Sequence, residues 1–114
     1  MKMNLLIREA YNNASNHGFY EDIDGIRKAK FDIKLNDILN NNALATRLML
    51  IVGEVSEAME ALRKKDNDNF NEELADIAIR LFDLCGYMRI DLEREIQLKM
   101  QKNKDRPYKH GKAF

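Results

Sequence analysis

The chain has 114 residues, with 19 Lys and Arg against 19 Asp and Glu and an apolar fraction of 45%. That size suits one domain with one core, small enough for dimerisation to enlarge the buried area noticeably. The balanced composition excludes a disordered tail and a nucleic-acid arm, and no apolar stretch approaches the roughly 20 residues of a membrane-spanning helix. Cys85, the single cysteine, has no internal disulfide partner, and MKMNLLIREAYNN lacks a signal-peptide core, so a reducing cytoplasm is the expected location.

With one proline, five glycines and no sustained β-type alternation, the expected class is all-α, an antiparallel bundle of four to five helices. Asn4 is positioned to cap a first helix reaching about Asn16, which Gly18 ends. From Phe19 to Asn42 the pattern weakens, and Asn40 to Asn42 predict a polar break that caps the next helix. Leu44, Leu48, Ile51, Val52, Val55, Met59 and Leu62 then recur at spacings of three and four, which predicts one apolar face, closed by Arg63 to Lys65. Asp66 to Asn69 supplies a turn, with Asn69 and Glu72 spaced as a capping box. Leu74, Ile77, Leu81, Cys85 and Met88 trace the facing helix. A last helix capped by Asp91 carries Leu92, Ile96 and Met100.

Residues three apart share a helix face, so Glu54 pairs with Glu57, and Glu73 with Asp76. Across an antiparallel hairpin, at about 1.5 Å per residue, the two pairs reach similar heights. Single acidic pairs usually form solvated faces; four opposed carboxylates raise one another's pKa and require a cation or a proton. Oxygen ligands without Cys or His suit Mg²⁺, with Mn²⁺ a close substitute, and zinc is a poor match. Di-iron chemistry is disfavoured too, because His17 and His110 lie outside the acidic helices. Glu60 and Glu72 are expected to serve solvation and capping. Arg80 is placed either to pair with Asp76 one turn away or to reach phosphate, and Asp83 extends the acidic stripe either toward a substrate hydroxyl or toward a residue that supports the metal ligands. A basic end, with Lys99, Lys102, Lys104 and Arg106 after Gln97, either meets phosphate or stays solvated. His17, Phe19 and Tyr20 either border a base or seal a helix terminus. His110 either contacts phosphate or stays exposed.

Glu54-x-x-Glu57, a spacer and Glu73-x-x-Asp76, within LMLIVGEVSEAMEALRK and FNEELADIAIRLFDLCGYMRIDLE, resemble the metal signature of the MazG-like, all-α nucleoside triphosphate pyrophosphohydrolases. HGFYED and the terminal NKDRPYKHGKAF are similar to a bacterial and phage branch of that family. The likeness spans the chain apart from Ile23 to Asn42. It implies a single MazG-like domain over 1–114 that hydrolyses nucleoside or deoxynucleoside triphosphates to monophosphate and pyrophosphate. By the same resemblance Glu54, Glu57, Glu73 and Asp76 hold Mg²⁺, and Lys102, Asn103 and Arg106 hold phosphate or nucleotide. Glu57, with Glu54 as the alternative, is favoured for orienting the attacking water. Free NTP or dNTP is the expected partner, without nucleic acid or membrane. A homodimer is favoured, and the pattern leaves a tetramer open. The competing reading is a noncatalytic helical nucleotide-binding or dimeric interaction module.

Overall fold

The computed structural model describes residues 2–114. Five α-helices follow one another among the described residues: α1 (Lys2–Asn16), α2 (Glu21–Ala29), α3 (Ile33–Arg63), α4 (Asn67–Met88) and α5 (Leu92–Lys104). No strand occurs among the described residues, as the periodicity predicts, and none of their helices is long and apolar enough to cross a membrane.

Two helix ends behave as their residues suggest. Gly18, at φ +88°, closes α1: its amide donates to the Ser15 carbonyl (3.1 Å), and the Phe19 amide donates to that of Ala14 (3.0 Å). This paired closure needs the left-handed backbone that glycine adopts without strain. Asp91 caps α5 by accepting from the Arg94 amide at 3.2 Å.

Elsewhere the boundaries move. α1 begins at Lys2, ahead of the Asn4 cap expected for it. The weak segment resolves into α2 and the first third of α3, which Asp32 starts by accepting from the Leu35 amide at 2.9 Å. The polar break at Asn40 to Asn42 does not form. An asparagine in a helix interior costs at most about 0.7 kcal/mol, and the next turn buries Ala43 and Arg47. The α3–α4 turn is Lys64 to Asp66 rather than Asp66 to Asn69. Asp66 reaches the Asn69 amide first (3.1 Å), so Asn69 lies inside the helix and its capping box with Glu72 is absent.

The body consists of α4 packed against α3 on one side and α1 on the other, with α2 lying on α3 and α5 touching α1 only slightly. A Cβ on Gly86 would stand 2.5 Å from Tyr11 Cβ and 3.0 Å from the Ile7 carbonyl oxygen. That missing carbon lets α1 and α4 approach closely. Ala14, Tyr20, Ile23 and Ala43 form the core, with Tyr11, Ile26, Leu44 and Tyr87 around it.

α3 turns its small and polar stripe inward. Leu44, Arg47, Ile51, Glu54, Ala58 and Ala61, three and four apart, are buried or half-buried. Leu48, Val52, Val55, Met59 and Leu62, also three and four apart, are 49–58% exposed. Five of the seven residues of the expected apolar face therefore point outward, as do Leu74, Leu81 and Met88 of α4 and Ile96 and Met100 of α5. The radius of gyration is correspondingly large, 17.2 Å, against roughly 13 Å for a compact chain of this length.

Candidate metal centre

Glu54 lies on the inward stripe of α3, and Glu57 follows one turn later. The three-residue turn lays α4 antiparallel beside them and brings Glu73 to the same level. One carboxylate oxygen from each of Glu54, Glu57 and Glu73 falls within 4.8 Å of the others, with Glu57 exposed and the other two half-buried. Glu73 Oε2 is out of reach of solvent and has no hydrogen-bond partner. Desolvation, then the adjacent Glu57 carboxylate, and then the charges of Asp76 and Glu54 push the Glu73 carboxyl up to about 7. Asp76 shares a cleft wall with Glu54. The four predicted acids thus meet on one hairpin, three as a tight cluster and Asp76 beside it.

That cleft, about 300 Å³, is lined by Glu54, Asp76, Arg80 and Asp83 together with Phe19 and Asn13, Ala10 and Ala14 of α1. Arg80 does not pair with Asp76. Its Nε donates instead to Glu54 Oε1 at 2.8 Å, across to α3, where the carboxylate is 14% exposed. The guanidinium also lies 5.7 Å from the centre of the Phe19 ring. Asp83 is buried and accepts from the Tyr20 hydroxyl at 2.6 Å; burial pushes its carboxyl above the usual range despite that bond and the charges of Arg80 and Arg47.

Behind the Phe19 wall stands a network that the local spacing does not reveal. Arg47, 6% exposed, donates from Nη2 to Asp22 Oδ1 and to the Phe19 carbonyl, both at 2.6 Å. Its Nη1 donates to Asp22 Oδ2 at 2.9 Å and to the Ala43 carbonyl at 2.8 Å. The Arg47 fork holds the Asp22 carboxyl below the ordinary aspartate range, and the guanidinium lies 4.4 Å from the Tyr20 ring centre. The Phe19 backbone is pinned from behind while its ring, 57% exposed, faces the cleft. Tyr20 is 1% exposed and stacks on Tyr87, so it seals the α1–α2 junction rather than bordering a ligand. The one signal for this network is a lone cation inside the apolar run ALATRLMLIV. Asn13, another lining residue absent from the expected set, sits one turn beyond Ala10 on α1.

The remaining expected residues stand apart. His17 is exposed and donates through Nδ1 to the Asn13 carbonyl at 2.8 Å. Lys102 lines a separate groove on α5 with Lys99 and Glu95. Arg106 donates to His110 Nδ1 at 2.6 Å, and Asn103 is exposed. Within one chain the tail does not line the acidic cleft.

The cluster is able to chelate a divalent metal. Its donors are all carboxylate oxygens, and the buried, partnerless Oε2 of Glu73 supplies what a hard cation such as Mg²⁺ or Mn²⁺ requires. Residues 42–110 match the MazG nucleotide pyrophosphohydrolase domain. The chain belongs to that family. No curated protein and no solved structure matches it. The match contains all four acids, Arg80, Asp83 and the basic tail. α1, α2 and Phe19 precede it, so this MazG domain borrows one wall of its cleft from chain outside the matched segment.

Proposed function

We propose that this protein is a Mg²⁺-dependent hydrolase that cleaves nucleoside or deoxynucleoside triphosphates between the α- and β-phosphates. The observation that carries the reading is the buried, partnerless Glu73 oxygen inside a three-glutamate cluster of a MazG domain. A divalent cation held by Glu54, Glu57, Glu73 and Asp76 would draw charge from the phosphate oxygens and acidify the attacking water. Glu57, the most exposed of the cluster, orients that water and accepts its proton. The water oxygen bonds to the α-phosphorus, the bridging P–O bond breaks, and pyrophosphate leaves with the electron pair.

Phe19 offers a flat face to the base, with His17 at the end of the same turn. The Tyr20-held Asp83 presents an acceptor to a donor group of the nucleoside. Lys102 and Arg106 neutralise phosphate, and Asn103 donates a hydrogen bond to it, from a second copy of the chain. The exposed stripe Leu48–Val52–Val55–Met59–Leu62 supports a homodimer, because a core this small leaves a large apolar face uncovered. The lone buried thiol of Cys85 suits a reducing cytoplasm.

The test is a panel of NTPs and dNTPs with Mg²⁺ or with EDTA. Monophosphate and pyrophosphate should form only with the metal, and Glu57→Gln should lower kcat by about 10²- to 10⁴-fold with an unchanged helical spectrum. Tight nucleotide binding without turnover across the panel would instead identify a binding module.

A further inference from the structure

We propose that Arg80 is the resident counter-charge of the acidic cluster, and that a divalent cation displaces it from Glu54 and frees it for the phosphate of the incoming ligand. This rests on the metal-centre reading above. Four acids crowd the hairpin, and the ion pairs among the described residues bring one guanidinium to them: Arg80 Nε on Glu54 Oε1 at 2.8 Å. The other buried cation, Arg47, is taken up by Asp22 and two carbonyls. No ion pair among the described residues reaches Glu73 or Glu57, and Glu73 Oε2 is left bare. Arg80 therefore holds the place of a cation without satisfying the cluster.

A divalent ion on the same carboxylates and the guanidinium would stand only a few ångströms apart. Like charges at that distance repel strongly in a partly desolvated site. The smaller ion reaches several carboxylates at about 2.0–2.1 Å each, which one Nε–H does not. Arg80 then has somewhere to go. Its bond to Glu54 uses Nε alone, it lines the cleft, and the Phe19 ring beside it gives a cationic plane a surface to lean on. A guanidinium fork freed in a cleft meets two oxygens of a phosphate well. Metal binding and phosphate binding are thereby coupled through one side chain.

The opposite arrangement, in which Arg80 orients Glu54 for the metal, predicts the opposite sign, so affinity separates the two. Mn²⁺ binding to the nucleotide-free protein, read by electron paramagnetic resonance, should be about tenfold tighter in Arg80→Gln, the scale set by one charge-assisted hydrogen bond. Arg80→Lys should fall between that variant and the wild type. A wild-type measurement guards against misfolded variants: in nitrogen-15 NMR, saturating Mg²⁺ should shift the Arg80 Nε–H signal and speed its exchange with water. Equal or weaker Mn²⁺ binding by Arg80→Gln, or an Nε–H signal that Mg²⁺ leaves in place, overturns the proposal alone. Mn²⁺ bound by neither protein overturns the metal centre as well.

Discussion

The two charged clusters on the inner side of α3 stand less than two helical turns apart and are opposites. Around Arg47 both terminal nitrogens have fixed acceptors, a bidentate carboxylate and two carbonyls, with an aromatic face beside them, and the buried Nε alone lacks a partner. Around Glu54 three carboxylates share one guanidinium, and a buried oxygen has nothing. The first cluster, the closed one, balances its charge within the fold and works as a brace; the second, the open one, is left with excess negative charge and is able to take a cation from solution. A burial pattern alone would have grouped them together. What distinguishes them is whether the charges balance within the fold.

Breaking the closed cluster should have the largest effect on stability. Arg47→Met removes four donated hydrogen bonds and should cost about 3 kcal/mol in urea unfolding. Mn²⁺ affinity should change little, since no cluster glutamate touches Arg47. A matching loss of Mn²⁺ affinity would erase the contrast.

At the open cluster the same kind of change should help the metal-free protein. With its folded pKa raised from 4.5 to about 7, Glu73 binds more protons folded than unfolded. Metal-free stability from this group is therefore present below 4.5 and falls as pH rises to about 7. Glu73→Gln should remove that slope, leave the metal-free melting temperature unchanged or higher at pH 8, and abolish the upshift that Mg²⁺ gives the wild type. In the wild type Mn²⁺ affinity should rise through pH 7, as the cation displaces a proton. A flat profile would show that Glu73 does not hold a proton near pH 7.

The smallest effect belongs to Asp22, whose sign is the reverse. Its folded pKa is depressed by the Arg47 fork, so the pair stabilises above the ordinary aspartate range and the benefit is lost as pH falls through the depressed value. Asp22→Asn should cost about 1 kcal/mol at pH 7, allowing for solvent screening of a half-exposed carboxylate. The deficit should vanish in acid; one that persisted there would point to packing rather than charge.

The open cluster was legible in the sequence because its partners are helix neighbours three apart, joined by a short turn that fixes their height. The closed one was not, since Arg47 finds Asp22 25 residues upstream and no local spacing encodes that meeting. The same limit explains Tyr20, whose hydroxyl bonds a residue 63 positions away, and Arg80, which bypasses the acid on its own helix for one across the interface. Helix ends were misplaced where two capping residues competed, as Asp66 did with Asn69. The single apolar face expected of α3 divides between two stripes, Leu44 and Ile51 inward and the other five outward, because periodicity does not say which stripe a single chain will cover.

All three clustered glutamates belong to one helical hairpin closed by Lys64 to Asp66, whereas the Tyr20–Asp83 bond must draw distant parts of the chain together. Loop closure costs more entropy as the loop lengthens, and local contacts form sooner. A full-length chain refolding from the denatured state would therefore assemble its ion pocket before it forms the Tyr20–Asp83 bond, with mutual repulsion opposing that first step. A divalent cation that relieved this repulsion would then speed the return of the denatured chain to its fold.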